Sequence, residues 1–283
     1  MSTEATTPPL QEVSGPSALG GGPRRFFDLL WLTAVTEFKR VYFGTVLGYL
    51  WSLMRPLMLF GVLLFVFTKV FRVGSDLVEH YPVFLLLGIV LFTFFQETTT
   101  NAVGSVISQE GVVRKTQFPR LVIPLATVLT GTFNLGLNLI VVLGFVFAFG
   151  IEPTWTWLFF PFAVAVLAIF TAAISMALSV LYVRFRDVAI IWVVVGQVLF
   201  YATPILYPVN FDENYEHLLM INPLAVIFEQ IRIWILAEPN APTITEATGG
   251  VLGLLPAAAI FIAVCVYGVW IFNREAPRIA EAL

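Results

Sequence analysis

The sequence predicts an all-α membrane protein with six transmembrane helices, an N-terminal amphipathic interfacial helix and an outward re-entrant helical segment. Three observations carry that prediction. Hydrophobic residues make up 59% of the 283 and charged residues only 12%, against roughly 45–50% and about 25% in soluble domains. A soluble chain of this size has too little interior to hide so much apolar surface. The apolar residues also gather in runs at 46–68, 81–100, 121–149, 155–183, 188–206 and 251–272, each near the about 20 residues that cross the hydrocarbon.

The third observation is where the charges fall. With six crossings, Arg24, Arg25, Lys39, Arg40, Arg114, Lys115, Arg120, Arg184, Arg186, Arg274 and Arg278 lie on one side; only Lys69, Arg72 and Arg232 lie on the other. That excess marks the cytoplasmic face. Asp76, Glu79, Glu152, Asp212, Glu213, Glu216, Glu238 and Glu246 collect opposite. Both termini are therefore expected in the cytoplasm.

Residues 1–23 are rich in Thr, Pro, Ser and Gly and lack the basic start and apolar core of a signal peptide. They read as a disordered cytoplasmic tail. The membrane domain occupies residues 24–283. In its first segment, 24–41, Phe27, Leu30, Trp31, Ala34, Phe38 and Val41 share one helical face, with Arg25, Asp28, Thr36, Lys39 and Arg40 on the other. Such a helix lies flat on an anionic leaflet or packs on a partner.

The first span carries Arg55 and the second Glu97. At about 1.5 Å per residue, Arg55 sits roughly 14 Å inside the boundary. Intramembrane charges face protein or water and tend to pair. These two either line the inner part of a path or form a structural ion pair across helices. Between spans two and three, residues 101–120 contain Glu110-Gly111-Val112-Val113-Arg114-Lys115, readable as a membrane-surface loop or as a docking helix for a cytosolic protein.

The stretch 218–237 is long enough to span but carries Asn222, Pro223, Glu229, Gln230 and Arg232, each costly at a helix centre. A seventh crossing would also put Arg274 and Arg278 outside. The region 207–240 is therefore expected to dip in from outside and return, which is tolerated where protein or a lined cavity covers it.

Several chemistries have no support. No G-x-x-x-x-G-K-[ST] loop occurs, so this chain is not expected to hydrolyse nucleotide. His80 and His217 lie in separate loops and Cys265 is the one cysteine, which argues against a metal site and a disulfide framework. A net charge of −3 argues against nucleic acid. The chain reads as a transporter rather than an enzyme.

Six stretches, in order, carry a resemblance: Leu47-Gly48-Tyr49-Leu50-Trp51-Ser52-Leu53 with Pro56-Leu57; Phe118-Pro119-Arg120 with Pro124-Leu125; Arg184-Phe185-Arg186-Asp187; Thr203-Pro204-Ile205-Leu206-Tyr207-Pro208; Ile221-Asn222-Pro223-Leu224; and Asn273-Arg274-Glu275. From Arg24 onward the chain resembles the membrane subunit of type-2 ABC exporters, in the branch that moves lipid-linked polysaccharides such as O-antigen, teichoic acid, galactan or capsule. The resemblance implies a homodimer of six-span subunits in the bacterial plasma membrane, bound to two cytosolic P-loop ATPase subunits that hold ATP and Mg. This chain then needs no cofactor of its own. It implies ATPase coupling through Glu110, Val112, Val113, Arg114 and Lys115, with Arg184, Arg186 and Asp187 as a second contact. The cargo would be a polyprenyl-diphosphate-linked glycan, its diphosphate met by Arg24, Arg25, Lys39 and Arg40. Trp51, Arg55, Phe95, Glu97, Phe200, Tyr201 and Tyr207 are the expected channel lining, since sugar C–H faces stack on aromatics without a fixed register. A type-2 permease for small amphiphiles or drugs is the alternative. A channel or secondary transporter without an ATPase would often show paired broken helices, and only one is visible.

Overall fold

The computed structural model describes residues 22–42, 48, 50–71, 78–111, 118–209, 215–237 and 243–276, and every regular element among them is helical. The main helices are α1 (Pro23–Tyr42), α2 (Leu50–Phe65), α3 (Tyr81–Val103), α4 (Val122–Ala148), α5 (Phe160–Arg184), α6 (Val188–Ala202), α7 (Pro223–Leu236) and α8 (Leu255–Glu275). Among the described residues, five continuous helical stretches are long and apolar enough to cross a membrane: Leu50–Val70, Tyr81–Val103, Val122–Ala148, Trp155–Arg184 and Val251–Glu275. The chain is thus an all-helical, multi-pass membrane protein.

Helix α6 is apolar but has 15 residues, about 22 Å of rise against a hydrocarbon core of roughly 30 Å. A proline just beyond its end sets that length. Pro204 forces Thr203 into an extended conformation, with φ −101° and ψ 135°, and helices end at the residue before a proline.

Helix α3 is the centre of the bundle. Its buried residues, from Tyr81 to Val103, cover all of its faces, and it packs against α2, α4, α5, α6 and α7. A helix apolar all round belongs inside a bundle. Helices α5 and α8 form another tight pair, because Gly268 rests on the backbone carbonyl of Ala173 and a Cβ there would strike it. Small residues at a crossing let backbones approach this closely in lipid.

Helix α1 lies along α4. Ala34 is fully buried, Thr130 Oγ1 donates to its carbonyl at 3.1 Å, and Trp31 and Phe38 meet Phe133 edge-on. The contact line is narrower than the sequence face suggested. Phe26 is buried while Phe27 remains 64% exposed, because docking follows the i, i+4 line through Phe26, Leu30, Ala34 and Phe38.

Candidate functional site

Polar side chains of α1–α4 meet around a cavity of about 510 Å³. It begins at Glu37 and Arg40 on α1, beside Ser105, Ser108 and Gln109 at the end of α3, and climbs between α2, α3 and α4 to Asn138. Pro56, inside α2, lies on its wall; a proline removes one helical hydrogen bond and bends the helix there.

Arg55 Nη1 donates to Glu97 Oε1 at 2.6 Å across the cavity. The side chains remain 77% and 43% exposed, so the pair bridges an open groove rather than a sealed core. At the mouth, Glu37 pairs with Arg40 at 3.5 Å and accepts from Gln109 Nε2 at 3.5 Å. On the α4 wall, Asn138 Nδ2 donates to the Asn134 carbonyl at 2.9 Å, while Asn134 Oδ1 is buried without a hydrogen-bond partner.

Of the residues expected to line a channel, the groove unites Trp51, Arg55 and Glu97, and it recruits Arg40 from the basic set. Phe95 is a correction. It is completely buried, packed against Phe170 and Trp192, and lines nothing, because its side of α3 is covered by α5 and α6. Phe200, Tyr201 and Tyr207 gather instead at the end of α6, where Phe200 edges Phe92 and Tyr201 and the Tyr207 hydroxyl donates to the Tyr201 carbonyl.

The four basic residues of α1 do not form one cluster. Arg24 and Arg25 are one pair and Lys39 and Arg40 another, all exposed, about 22 Å apart along the helix. A single diphosphate cannot bridge them. Glu110 is half-buried, and Val112, Val113, Arg114 and Lys115 lie outside the described residues. Arg184, Arg186 and Asp187 occupy an exposed turn between α5 and α6, the guanidinium groups resting over the Phe185 and Tyr182 rings.

Two arginines do structural work that the sequence did not reveal. Arg120 is buried and donates to the carbonyl of Ala276, where α8 ends; burial holds its pKa below the usual arginine value. A cation at a helix C-terminus also meets the negative end of its dipole. Arg232, on α7, is almost fully buried. Its guanidinium sits 3.6 Å from the Phe84 ring centroid, donates to the carbonyls of Pro204, Ile205 and Phe84, and pairs with Glu229 at 3.5 Å. The Tyr81 hydroxyl donates to the Leu206 carbonyl at 3.0 Å, and Asn222 Nδ2 donates to Thr203 Oγ1 at 2.9 Å. The non-helical turn after α6 thus has its carbonyls satisfied by protein groups. Gly88 makes room, since a Cβ there would collide with the Arg232 guanidinium.

Both ends of α7 are closed in the same way. Asn222 caps the first turn through Leu224 N–H, and Thr156 Oγ1 and Trp157 Nε1 donate to the Trp234 and Ile235 carbonyls. The buried charges of this stretch, Glu229 and Arg232, face the protein interior, not a lined path.

The described residues form a multi-pass helical bundle with an amphipathic first helix, a polar groove and a short capped helix between two apolar ones. Comparison with known families places it: residues 28–236 match the ABC-2 type transporter model, and the chain belongs to that family. Among its relatives is the O-antigen export system permease protein RfbA of Klebsiella pneumoniae, 31% identical over 262 residues, covering 91% of this chain and 95% of the relative. A second Klebsiella pneumoniae protein of that name is 32% identical over 259 residues, with the same coverage. The Myxococcus xanthus protein of that name is 30% identical over 236 residues, 80% of this chain and 88% of the relative.

Proposed function

We propose that this chain is the permease subunit of an ATP-driven exporter that moves a polyprenyl-diphosphate-linked polysaccharide across the bacterial plasma membrane. The observation that carries the reading is similarity to O-antigen export permeases over nearly the whole length of both chains. The groove adds a polar path inside the bundle.

In this reading the subunit works as a homodimer, with six crossings per subunit, α6 being the fifth, and α7 returning to the outer face. Two cytosolic ATPases supply ATP and Mg and dock on the segment around Glu110–Lys115 and on the exposed turn Arg184–Asp187. The exposed cations of α1 hold the carrier diphosphate at the inner leaflet. Of these, Arg40 stands at the mouth of the groove.

The test is purification of the tagged chain from its host in mild detergent, with mass spectrometry of what accompanies it. A stoichiometric P-loop ATPase is the expected result. A stable dimer with no ATPase would overturn the exporter reading.

A further inference from the structure

The groove between α1 and α4 carries a chemistry different from that of the basic surface beside it. Its two cations, Arg40 and Arg55, are each already paired with a carboxylate, Glu37 and Glu97. The walls add hydroxyls and amides, among them Thr93, Asn101, Thr130 and Asn138. The lining formed by the described residues is therefore neutral in sum. A diphosphate drawn into it would meet two carboxylates at close range, and like charges forced together in a partly desolvated site repel strongly.

The unsatisfied group points the same way. Asn134 lines the groove and its Oδ1 is an acceptor without a donor; Glu97 keeps accepting capacity beyond the one bond from Arg55. A buried acceptor left alone is costly. An ionised diphosphate has only acceptors and cannot satisfy it, whereas a sugar hydroxyl donates. At the mouth, Trp51 presents an indole that is 54% exposed, an apolar face next to polar neighbours. The volume of about 510 Å³ is that of a small-ligand site.

We propose that this groove is a sugar subsite. It takes the uncharged sugar next to the carrier diphosphate, with Glu97 and Asn134 accepting its hydroxyls, while the diphosphate stays outside the groove at the exposed basic surface of α1. The proposal rests on the lipid-linked glycan reading above.

The experiment uses the complete permease–ATPase complex in detergent and two probes, a short-chain prenyl diphosphate and the same molecule carrying one hexose. Equilibrium binding is expected to favour the hexose-bearing probe by about tenfold, the order of one well-made pair of hydrogen bonds. Asn134→Leu is expected to erase that preference without changing affinity for the bare diphosphate. Glu97→Gln has a sign of its own: it removes a negative charge beside Arg55, so the bare diphosphate should bind several-fold tighter while the preference falls. Asn134→Ser, milder in shape, should show a partial loss and guards against misfolding of the leucine variant.

Equal affinity for the two probes in the wild type overturns the subsite. So does a hexose preference that survives both Asn134→Leu and Glu97→Gln, or displacement of both probes alike by phosphatidylglycerol vesicles. If neither probe binds the wild type, the lipid-linked glycan reading itself fails and the subsite falls with it.

Discussion

Arg232 is the residue on which the end of the bundle around the turn after α6 depends. An arginine this deeply buried is tolerated when its donors and charge are met, and here three carbonyls, Glu229 and the Phe84 ring meet all but its Nε. Breaking such a pair from one side is far worse than never having it, because the partner charge remains buried. Arg232→Met is expected to cost about 3–5 kcal/mol, read as a lower midpoint of thermal unfolding in detergent. Adding Glu229→Gln should recover part of that loss. An unchanged midpoint in the single variant would show that the knot is not structural. The sequence flagged Arg232 only as a misplaced charge. Its partners on other elements lie 27 to 148 residues away, beyond the reach of any local pattern.

Among the elements, those whose signal is periodic or long were legible before the structure. The apolar runs, the amphipathic first segment and the short segment with Asn222-Pro223 at its start all correspond to helices. What the pattern misjudged was which side of a helix is covered. On α1 it favoured Phe27 over Phe26, because periodicity gives a face but not the neighbour that will occupy it; on α3 the channel role expected of Phe95 came from the resemblance alone. Arg55 and Glu97 were readable as a pair because two opposite charges in lipid have few alternatives; Asn134 carried no such signal. The α5–α8 crossing is a second arrangement fixed by a neighbour, and it can be tested. Gly268→Leu drives a side chain into the Ala173 backbone. It is expected to destabilise the fold by about 1–3 kcal/mol, again as a lower unfolding midpoint, whereas Val266→Leu, at an exposed position of the same helix, should leave it unchanged.

At the scale of the whole molecule, the short α6 decides the topology. If it crosses the membrane, residues on α1 and at the end of α8 share one side; if it does not, they lie on opposite sides. With Cys265 replaced by alanine, positions 28 and 273, both exposed on the helix surface, can each carry a single cysteine as Asp28→Cys or Asn273→Cys and be labelled with an impermeant maleimide. Protection of both in intact cells, lost together on permeabilisation, is the expected result. Labelling of position 273 alone in intact cells would remove α6 from the count of crossings.

The ties at the two ends of α3 join distant parts of the bundle. At one end, α3 runs through Gly104 into Ser105–Ser108, and Gln109 is bonded to Glu37 on α1. At the other, the Tyr81 hydroxyl and the Phe84 carbonyl are knotted to the turn after α6 and to Arg232. Some 23 residues of unbroken helix lie between, about 34 Å. One continuous helix therefore links the contact with α1 at one end of α3 to the turn after α6 at the other. Helices α2 and α6 leave most of their surface uncovered by the rest of the described bundle, so those faces are left for lipid or another chain to cover.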